Sequence, residues 1–369
     1  MKQESKKESD WQALDELREE IDRIDEQIVS LLSRRQQSGI EIGKLKKELG
    51  INIIDLARER QILRRVVSFG RENLSAQSLR AIFSEIISAG RSVQETPSVA
   101  YLGPEDSFTQ RAAIAFFGHS TSFHAAGTIE DVFGLVEKGV CKQGVVPIEN
   151  SYEGSVNRTL DLFYKYNLKI GAEIFLRIRQ HFLSKAGSIK EIKLVHAHPM
   201  SIAQCKGWLR DHIPEVSFKE ANSTSLAAKL AAQEPGTAAL GSRLAAHTYG
   251  LNILEENIED HPDNITRFLI IGKTDAEPTG RDKTSILFSL RHQPGALYKA
   301  LEPISRKNIN MARIESRPLK IKNWEYLFFV DLEGHESNGN VSDAIKEMEA
   351  HCSFIKRLGS YPAGGEPWD

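Results

Sequence analysis

The chain has 369 residues, of which 40% are hydrophobic and 27% are charged, as in globular rather than disordered proteins. This length predicts two or three domains, because one hydrophobic core rarely serves more than about 250–300 residues. Lys and Arg number 48 and Asp and Glu number 50, and the net charge of -2 argues against nucleic acid or a membrane surface as the main partner.

The amino-terminal segment and the cysteines favour a cytoplasmic protein. The first ten residues are polar and lack the apolar run of a signal peptide, and no stretch is apolar over the length of a membrane span. Cys141, Cys205 and Cys352 have no CxxC spacing, so we expect reduced thiols. His196 and His198 have no second cluster of ligands nearby. We therefore predict no metal site and no cofactor.

Three helices are predicted in the first part of the chain. Apolar residues recur at heptad spacing from Leu14 to Leu31 and more weakly to Leu49, which predicts one long helix. Two further helices are predicted over Asp55–Phe69 and Ser78–Gln94. Because so long a helix cannot bury its apolar stripe alone, we predict an all-helical domain that forms an intertwined dimer.

From Ser98 short apolar strands alternate with helices, a pattern typical of α/β proteins. The predicted strands are Val99–Leu102, Gly144–Ile148, Lys193–Ala197, Ala238–Leu240 and Phe268–Ile271. The predicted helices are Ser107–Phe117, Thr128–Lys138 and Ser201–Asp211. This region is long enough for two lobes with a cleft between them, and ligands of such folds bind at the carboxyl ends of strands.

A segment rich in Pro, Gly and charge, Asp275–Lys283, is predicted to be a linker to a small carboxyl-terminal unit. The predicted strands of this unit are Thr284–Leu290, Met311–Pro318, Glu325–Leu332 and Ile355–Leu358, and its helices are Gly295–Lys307 and Val341–Ala350. This βαββαβ order predicts a ferredoxin-like fold. We therefore expect a multidomain α and α/β protein with domains at residues 11–96, 97–274 and 283–362.

Charged and amide side chains stand on or beside the apolar seams of the helical domain, at Arg18, Arg35, Lys46, Asp55, Glu59 and Gln94. Because burial of an unpaired charge is costly, these groups either pair with one another, as Arg35–Glu59 or Lys46–Asp55, or bind a ligand. Inward-facing cations and an amide suit a small molecule with two carboxylates and an ether or hydroxyl oxygen.

The segments LREEIDRIDEQIVSLLSRRQQSGIEIGKLK, DLARERQIL and IFSEIISAGRSVQ resemble the all-helical chorismate mutase family, from about Trp11 to Gln94. The resemblance implies a Claisen rearrangement of chorismate to prephenate, which needs a compact conformer and donors at the breaking bond rather than a nucleophile. The roles that it implies are carboxylate binding by Arg35 and a partner subunit's copy of Arg18, ether-oxygen contact by Lys46 and Gln94, and ring-hydroxyl binding by Glu59, with Asp55 and Arg58 shaping that end. Gly90 departs from the serine or similar residue that is usual there, and we expect weaker binding rather than loss of turnover.

In the α/β region, polar residues follow or precede predicted strands in VPIENSYEGSVNRTLD and NITRF, at Glu149, Asn150, Ser151, Thr266 and Arg267. Helix capping by Asn150 and Ser151 and a strand-end salt bridge of Arg267 are structural alternatives to ligand binding. These segments, with YLGPE, ANSTSLAA and ALGS, resemble the prephenate dehydratase family over about Pro97–Lys273.

The dehydratase resemblance implies that prephenate loses carboxylate and hydroxide to give phenylpyruvate. By position, Thr266 helps the hydroxyl leave and Arg267 neutralises a carboxylate. The resemblance also implies that the substrate is bound and oriented by Glu149, Asn150, Ser151 and Gln204. Three residues depart from the usual pattern, which puts secondary contacts in doubt: Ala197, Met200 and Asn222.

The last unit resembles ACT domains, because GALYKAL opens its first helix and ESRP ends its second strand. The resemblance implies a site for L-phenylalanine between paired domains, with binding that lowers dehydratase activity. The residues implied are Gly295, Ala296, Leu297, Glu315, Ser316, Arg317 and Pro318. A turn glycine and a surface ion pair are the structural alternatives.

Two other functions compete with a bifunctional enzyme of phenylalanine biosynthesis. Two-lobed α/β folds also serve as non-enzymatic solute-binding proteins. Alternatively, only one catalytic module is active and the other serves dimerisation, which the departures at Gly90 and Ala197 leave open. We expect chorismate, prephenate and L-phenylalanine as small-molecule partners, and a homodimer or a dimer of dimers.

Overall fold

The computed structural model describes residues 2–50, 55–70, 73–94, 97–291, 293–318 and 326–368. Its amino-terminal part consists of α1 (Lys2–Glu48), α2 (Leu56–Ser68) and α3 (Ala76–Ser92). The side chains of Asp55 and Ser75 cap α2 and α3, because each accepts a hydrogen bond from a backbone N–H of the first turn. Across these described ranges, no helix combines the length and the apolar character that a membrane span requires.

The helical part buries few apolar side chains within one chain. Among its described residues these are Val66, Leu79 and Ile87. The heptad stripe of α1 is exposed instead, at Leu14, Leu17, Ile21, Ile24, Ile28 and Leu31. The all-helical architecture is confirmed, and none of the described residues covers the apolar face of α1.

The α/β region has two lobes, as predicted. The strands of the first lobe are β1 (Ser98–Leu102), β2 (Ser122–Ala126), β3 (Gln143–Asn150), β4 (Gly154–Ser155), β5 (Lys169–Arg177) and β11 (Ile265–Gly272), and its helices are α4 (Phe108–Phe117), α5 (Ile129–Glu137) and α6 (Asn157–Lys165). The sheet order is β2-β1-β3-β11-β5, with β4 paired to β3. Because β3 and β11 are antiparallel neighbours, the end of one lies beside the start of the other.

The second lobe contains β6 (His181–Ser184), β7 (Leu194–Ala197), β8 (Ser217–Glu220), β9 (Thr237–Gly241) and β10 (Asn252–Glu255), with α7 (Pro199–Gln204), α8 (Lys206–His212), α9 (Thr224–Gln233), α10 (Arg243–Tyr249) and a 3-10 turn at Ile189–Glu191. Its sheet order is β10-β6-β9-β7-β8. The single helix predicted over Ser201–Asp211 is wrong, since two helices meet at Cys205. The Asp260 carboxylate accepts hydrogen bonds from the N–H groups of Gly207 and Trp208, which gives α8 a start of its own.

The carboxyl-terminal unit has the predicted βαββαβ order: β12 (Asp282–Leu290), α11 (Ala296–Arg306), β13 (Met311–Pro318), β14 (Tyr326–Glu333), α12 (Gly339–Glu349) and β15 (Cys352–Pro362). Of the predicted third strand, Glu325 lies outside the described residues. The sheet order is β13-β14-β12-β15, and α11 and α12 pack on one face. The other face packs on the first lobe, where Phe329 and Leu358 share a core with Leu160 and Phe163.

Candidate active sites

Predicted polar residues from α1, α2 and α3 converge on Glu59 in the helical part. Arg35 and Lys46 of α1 and Asp55 at the start of α2 are close enough to influence the Glu59 carboxyl electrostatically. Arg35 Nη1 also donates a hydrogen bond to the carbonyl oxygen of Ile86 on α3, at 3.3 Å. The three helices therefore form one charged pocket instead of separate surface pairs.

Burial and charge act in opposite directions on the central carboxyl. Burial raises the pKa of Glu59, and Asp55 raises it further. Arg91, Lys46 and Arg35 lower the pKa, with Arg91 the strongest of the three. Burial also lowers the pKa of Arg35, while Glu59 raises it. The pocket holds more cationic than anionic groups, which suits an anionic ligand.

Gln94 also lies in this pocket, and only one end of its side-chain amide is hydrogen-bonded within the described residues. Its Nε2 donates to the carbonyl oxygen of Gly90 at 3.1 Å, and in the described residues its Oε1 is buried without a hydrogen-bond partner. A Cβ at Gly43 would lie 2.8 Å from Gln94 Cγ, so glycine makes room for the amide. A Cβ at Gly90 would lie 3.1 Å from Arg35 Nη1, so a serine there would crowd Arg35.

A second polar cluster joins the ends of β3 and β11 in the first lobe. Asn150 and Thr266 are partners in the strand register. Asn150 Nδ2 donates to Thr266 Oγ1 at 2.8 Å and to Asn264 Oδ1 at 2.7 Å. Its Oδ1 accepts from the N–H groups of Tyr152 and Glu153, at 2.9 and 3.1 Å. The Asn150 amide is therefore held in one orientation and directs its donor to the Thr266 hydroxyl.

A cavity of about 220 Å³ lies beside this cluster, with walls from both lobes. Gln204 of α7 lines it and is held by two contacts, since its Nε2 donates to Glu153 Oε1 at 3.0 Å and its Oε1 accepts from Gln180 at 3.2 Å. Burial raises the pKa of Glu153, while Gln204 and His198 lower it. The lining residues are Tyr152, Glu153, Met200, Ala203, Gln204, Glu259, Asp260, His261 and Asn264.

Family models match three parts of the chain, described as chorismate mutase type II over residues 17–95, prephenate dehydratase over 99–276 and ACT domain over 284–350. A relative from Aquifex aeolicus (strain VF5), named bifunctional chorismate mutase/prephenate dehydratase, is 46% identical over 95% of this chain and 98% of its own length. This chain belongs to the bifunctional chorismate mutase/prephenate dehydratase family.

Two other comparisons agree with this family. A bifunctional chorismate mutase/prephenate dehydratase from Pseudomonas aeruginosa is 38% identical over 96% of this chain and 99% of its own length. The crystal structure of a prephenate dehydratase from Arthrobacter aurescens in complex with L-Phe is 32% identical, with a TM-score of 0.67. That likeness covers 72% of this chain and 89% of the other, so it leaves about a quarter of this chain unmatched.

Two predicted mutase residues lie outside the pocket of this bifunctional chain. Arg18 is exposed and pairs with Asp15 at 3.1 Å. It stands 17 residues before Arg35 on the same helix, about 25 Å away along the axis, and cannot reach the pocket of its own chain. Arg58 is exposed and donates to Gln61 on the same helix. Any part that Arg18 takes in the reaction must therefore be in the pocket of another chain.

Two residues predicted for prephenate face away from the Asn150–Thr266 cluster. Arg267 is buried and contacts Glu173 at 2.7 Å, Asp331 at 2.5 Å and the Tyr361 hydroxyl at 3.0 Å. In this structure the side chain joins the dehydratase and ACT domains, and the predicted contact of Arg267 with a substrate carboxylate stays a prediction. Successive residues of a strand point to opposite faces, so Arg267 cannot share the side on which Thr266 lies.

Glu149 and Ser151 are likewise engaged within the protein. Glu149 pairs with Arg313 of the ACT domain at 3.2 Å, and its predicted role in orienting prephenate stays a prediction. Ser151 Oγ donates to the carbonyl oxygen of Asp263 and accepts from the N–H of Ile265, at 3.2 and 3.0 Å. Ser151 thus joins the end of β3 to the start of β11.

The two predicted phenylalanine motifs lie apart within one chain. Gly295, with a positive φ of 74°, begins α11 and is followed by Ala296 and Leu297. The ESRP residues are on β13, an edge strand that β14 separates from β12. Glu315 accepts a hydrogen bond from Ser155 at 2.6 Å, and Arg317 pairs with Asp161 at 3.3 Å, whereas Ser316 and Pro318 are exposed.

Two further residues of these sites, Arg91 and Asn264, were not predicted from the sequence. Arg91 contacts Glu59 at 3.3 Å, and Asn264 shares the Asn150 amide with Thr266. Arg91 falls four residues after Ile87 on the buried stripe of α3, so the rule that singled out Arg35 also applies to it. Asn264 is the first residue of NITRF, but nothing in the sequence shows that it meets Asn150.

Proposed function

We propose that this chain is a bifunctional enzyme of L-phenylalanine biosynthesis that converts chorismate to prephenate and prephenate to phenylpyruvate. The observation that carries this proposal is the presence of two separate polar sites on one member of this family. One is the cationic pocket around Glu59, and the other is the cleft beside Asn150 and Thr266. We further propose that the domains span residues 11–96, 97–274 and 283–362.

The mutase pocket acts by binding and orientation. Arg35 binds a carboxylate of chorismate, Glu59 accepts the hydrogen bond of the ring hydroxyl, and Lys46 and Gln94 donate to the ether oxygen. Charge develops on that oxygen as its bond to carbon breaks, so preorganised donors lower the barrier. The reaction is unimolecular and transfers no proton, so the residues supply a compact conformer and a fixed electrostatic field.

The dehydratase cleft promotes loss of two groups from the prephenate ring. The bond to the ring carboxylate breaks, its electrons shift into the ring, and the hydroxyl leaves from the opposite carbon. Thr266 assists that departure, and the hydrogen bond that its hydroxyl accepts from the Asn150 amide supports this role. Gln204 orients the substrate from the second lobe. Formation of an aromatic ring supplies much of the driving force, so modest acid catalysis suffices.

The ACT domain is proposed to bind L-phenylalanine and lower dehydratase activity. The motif at Glu315–Pro318 is on the edge strand of the ACT sheet, which supports a site formed where the edges of two ACT domains pair. Binding shifts an equilibrium between conformations with different dehydratase activity. Titration with L-phenylalanine, beside D-phenylalanine as the control, should lower phenylpyruvate formation. A flat response to the L-enantiomer would count against this part of the proposal.

We also propose a cytoplasmic enzyme without a cofactor, assembled as a homodimer or a dimer of dimers. The exposed apolar stripe of α1 supports assembly through the helical domain, because a partner helix would remove it from water. The position of Arg18, far from Arg35 on the same helix, supports a mutase site that receives this arginine from the partner.

The experiment that tests the two activities is to measure chorismate disappearance and, in a separate assay, phenylpyruvate formation from added prephenate. Arg35→Ala should lower the first by about 100-fold or more and spare the second, because it removes a substrate contact. Thr266→Ala should do the reverse. Arg34→Ala and Thr274→Ala are the matched controls, since both residues are exposed. Equal loss of both activities in each variant would reject independent sites, and a wild-type chain with one activity would assign the other domain to dimerisation.

A further inference from the structure

One face of α3 packs against the end of α4, the first helix of the dehydratase domain. Glu85 accepts a hydrogen bond from the N–H of His119 at 3.1 Å, and its other oxygen lies 2.8 Å from His119 Nδ1. Ser88 Oγ accepts one from the N–H of Ser120 at 3.1 Å. Arg91 lies three residues further along the same face. The mutase and dehydratase domains are therefore joined by directed polar contacts.

Gly118 allows the two helices to approach this closely. It ends α4 with a φ of 70°, and a Cβ there would lie 2.4 Å from the Cβ of Ser88. This conformation and this space both require glycine. The approach brings the last carbonyl group of α4, that of Phe117, within reach of Arg91.

Arg91 extends the interface into the mutase pocket. Its Nη2 donates to the carbonyl oxygen of Phe117 at 3.1 Å, and its guanidinium lies over the Phe117 ring, 5.5 Å from the centroid. On the other side its Nε is 3.3 Å from Oε1 of Glu59, and its side chain is only 5% exposed. A cation is also favoured at the carboxyl end of α4 by the helix dipole. One buried arginine thus contacts the mutase carboxylate and the dehydratase domain.

We infer that Arg91 is a positioning residue for the mutase reaction. It orients the Glu59 carboxylate toward the ring hydroxyl of chorismate and keeps that carboxylate charged. The dehydratase domain holds Arg91 in position through Phe117. The inference rests on the proposed mutase function and adds a residue to it. Arg91 acts through its ion pair with Glu59. The mutase site is accordingly completed by the neighbouring catalytic domain.

The charges around Glu59 explain why Arg91 matters. In the described part of the chain, the titratable groups that act on Glu59 are Arg35 and Lys46 from α1, Asp55 from α2 and Arg91 from α3. Burial raises the pKa of Glu59, and Arg91 opposes this most strongly. Arg35 and Lys46 are expected to engage the substrate anion. Removal of Arg91 raises the pKa of Glu59 further, so a reaction that needs the carboxylate fails at a higher pH.

The test uses the full-length enzyme with Arg91→Met, Arg91→Gln and Arg91→Lys. The control is Arg80→Met, because Arg80 is on the same helix but pairs with Glu366. Mutase kcat/KM is measured from about pH 5 to about pH 9, with dehydratase turnover and thermal melting on the same preparations. The two neutral variants should lose about tenfold in mutase kcat/KM near neutral pH. The acid limb of the pH profile, where kcat/KM falls as Glu59 is protonated, should lie about one pH unit higher. Arg91→Lys should be intermediate, and Arg80→Met should match the wild type.

Two results would contradict the role of Arg91, and a third would contradict the proposed mutase function. An acid limb at the wild-type pH in a neutral variant that melts cooperatively and retains dehydratase turnover would overturn it. Loss of both dehydratase turnover and cooperative melting in Arg91→Met and Arg91→Gln would assign Arg91 to the fold alone. A wild-type enzyme without mutase activity would reject the proposed function itself, so the two failures remain distinguishable.

Discussion

Neighbouring residues on β3 and β11 serve different parts of the molecule. Asn150 and Thr266 contact each other beside the cleft, whereas Glu149 pairs with Arg313 and Arg267 enters the interface with the ACT domain. The alternation of side chains along a strand imposes this division. A motif that is continuous in the sequence therefore combines a residue proposed for catalysis with a residue that joins two domains.

Asn150→Asp tests the donor role of the Asn150 amide. The carboxylate still accepts from the N–H groups of Tyr152 and Glu153 but has no hydrogen to donate to Thr266 or Asn264. We expect dehydratase kcat to fall by about 10- to 100-fold, because a preorganised donor is lost and a charge is added beside the reacting groups. A coupled assay of phenylpyruvate formation measures this, with mutase turnover as the internal control. Unchanged dehydratase kcat would show that the amide donor has no part in catalysis.

At the scale of elements, α1 differs from every other long helix in the described residues because its apolar stripe faces water. Leu17, Ile21, Ile24 and Ile28 are about half exposed or more. The pocket around Glu59 uses only the second half of α1, which supplies Arg35 and Lys46. The first half is therefore available for a second chain, and its sequence is consistent with helix pairing.

Ile24→Glu should separate the chains at the helical domain. A charge in the middle of the apolar stripe must be desolvated when two stripes pack, so association becomes unfavourable. Sedimentation should show a smaller assembly, and mutase activity should fall because Arg18 no longer arrives from the partner. Ser33→Glu is the matched control, since it adds the same residue to the exposed, opposite side of α1. A variant with wild-type assembly and wild-type mutase activity would exclude this stripe as the interface.

At the scale of the whole molecule, the three domains share interfaces that carry buried polar groups. Arg267 of the dehydratase domain reaches Asp331 and Tyr361 of the ACT domain, and Lys283 pairs with Glu173 at 2.9 Å. The β15 strand extends this contact, because it pairs with β12 and lies against β5 of the first lobe. A change of conformation in the ACT domain therefore has a direct structural route to the strand that carries Thr266.

Arg267→Met should destabilise the unit formed by the dehydratase and ACT domains. Asp331 is fully buried, and loss of Arg267 leaves its charge without that partner. Removal of one member of a buried ion pair costs about 3–5 kcal/mol of unfolding free energy. Urea denaturation followed by tryptophan fluorescence measures this, and Arg210→Met, at an exposed ion pair, is the control. Equal stability of Arg267→Met and wild type would show that the network does not hold the domains together.

Much of the architecture was predictable because each domain has its own hydrophobic period. The heptads of α1, the alternating strands and helices of the middle region and the βαββαβ order are all confirmed. The β5 and β6 strands were not predicted, although Lys169–Arg177 and His181–Ser184 contain apolar residues. Their role as strands depends on pairing with β11 and β9, which are distant in the chain.

The family and the three kinds of fold were predictable from the sequence, and so was the convergence of Arg35, Lys46 and Asp55 on Glu59, because charges on an apolar helical stripe stand out. The sequence did not reveal that Arg91 links Glu59 to Phe117, or that Arg267 is buried between acidic groups of two domains. Only the tertiary structure decided these roles. The physical reason is that a buried charge takes its role from the partner that neutralises it, and here those partners lie far away in the chain.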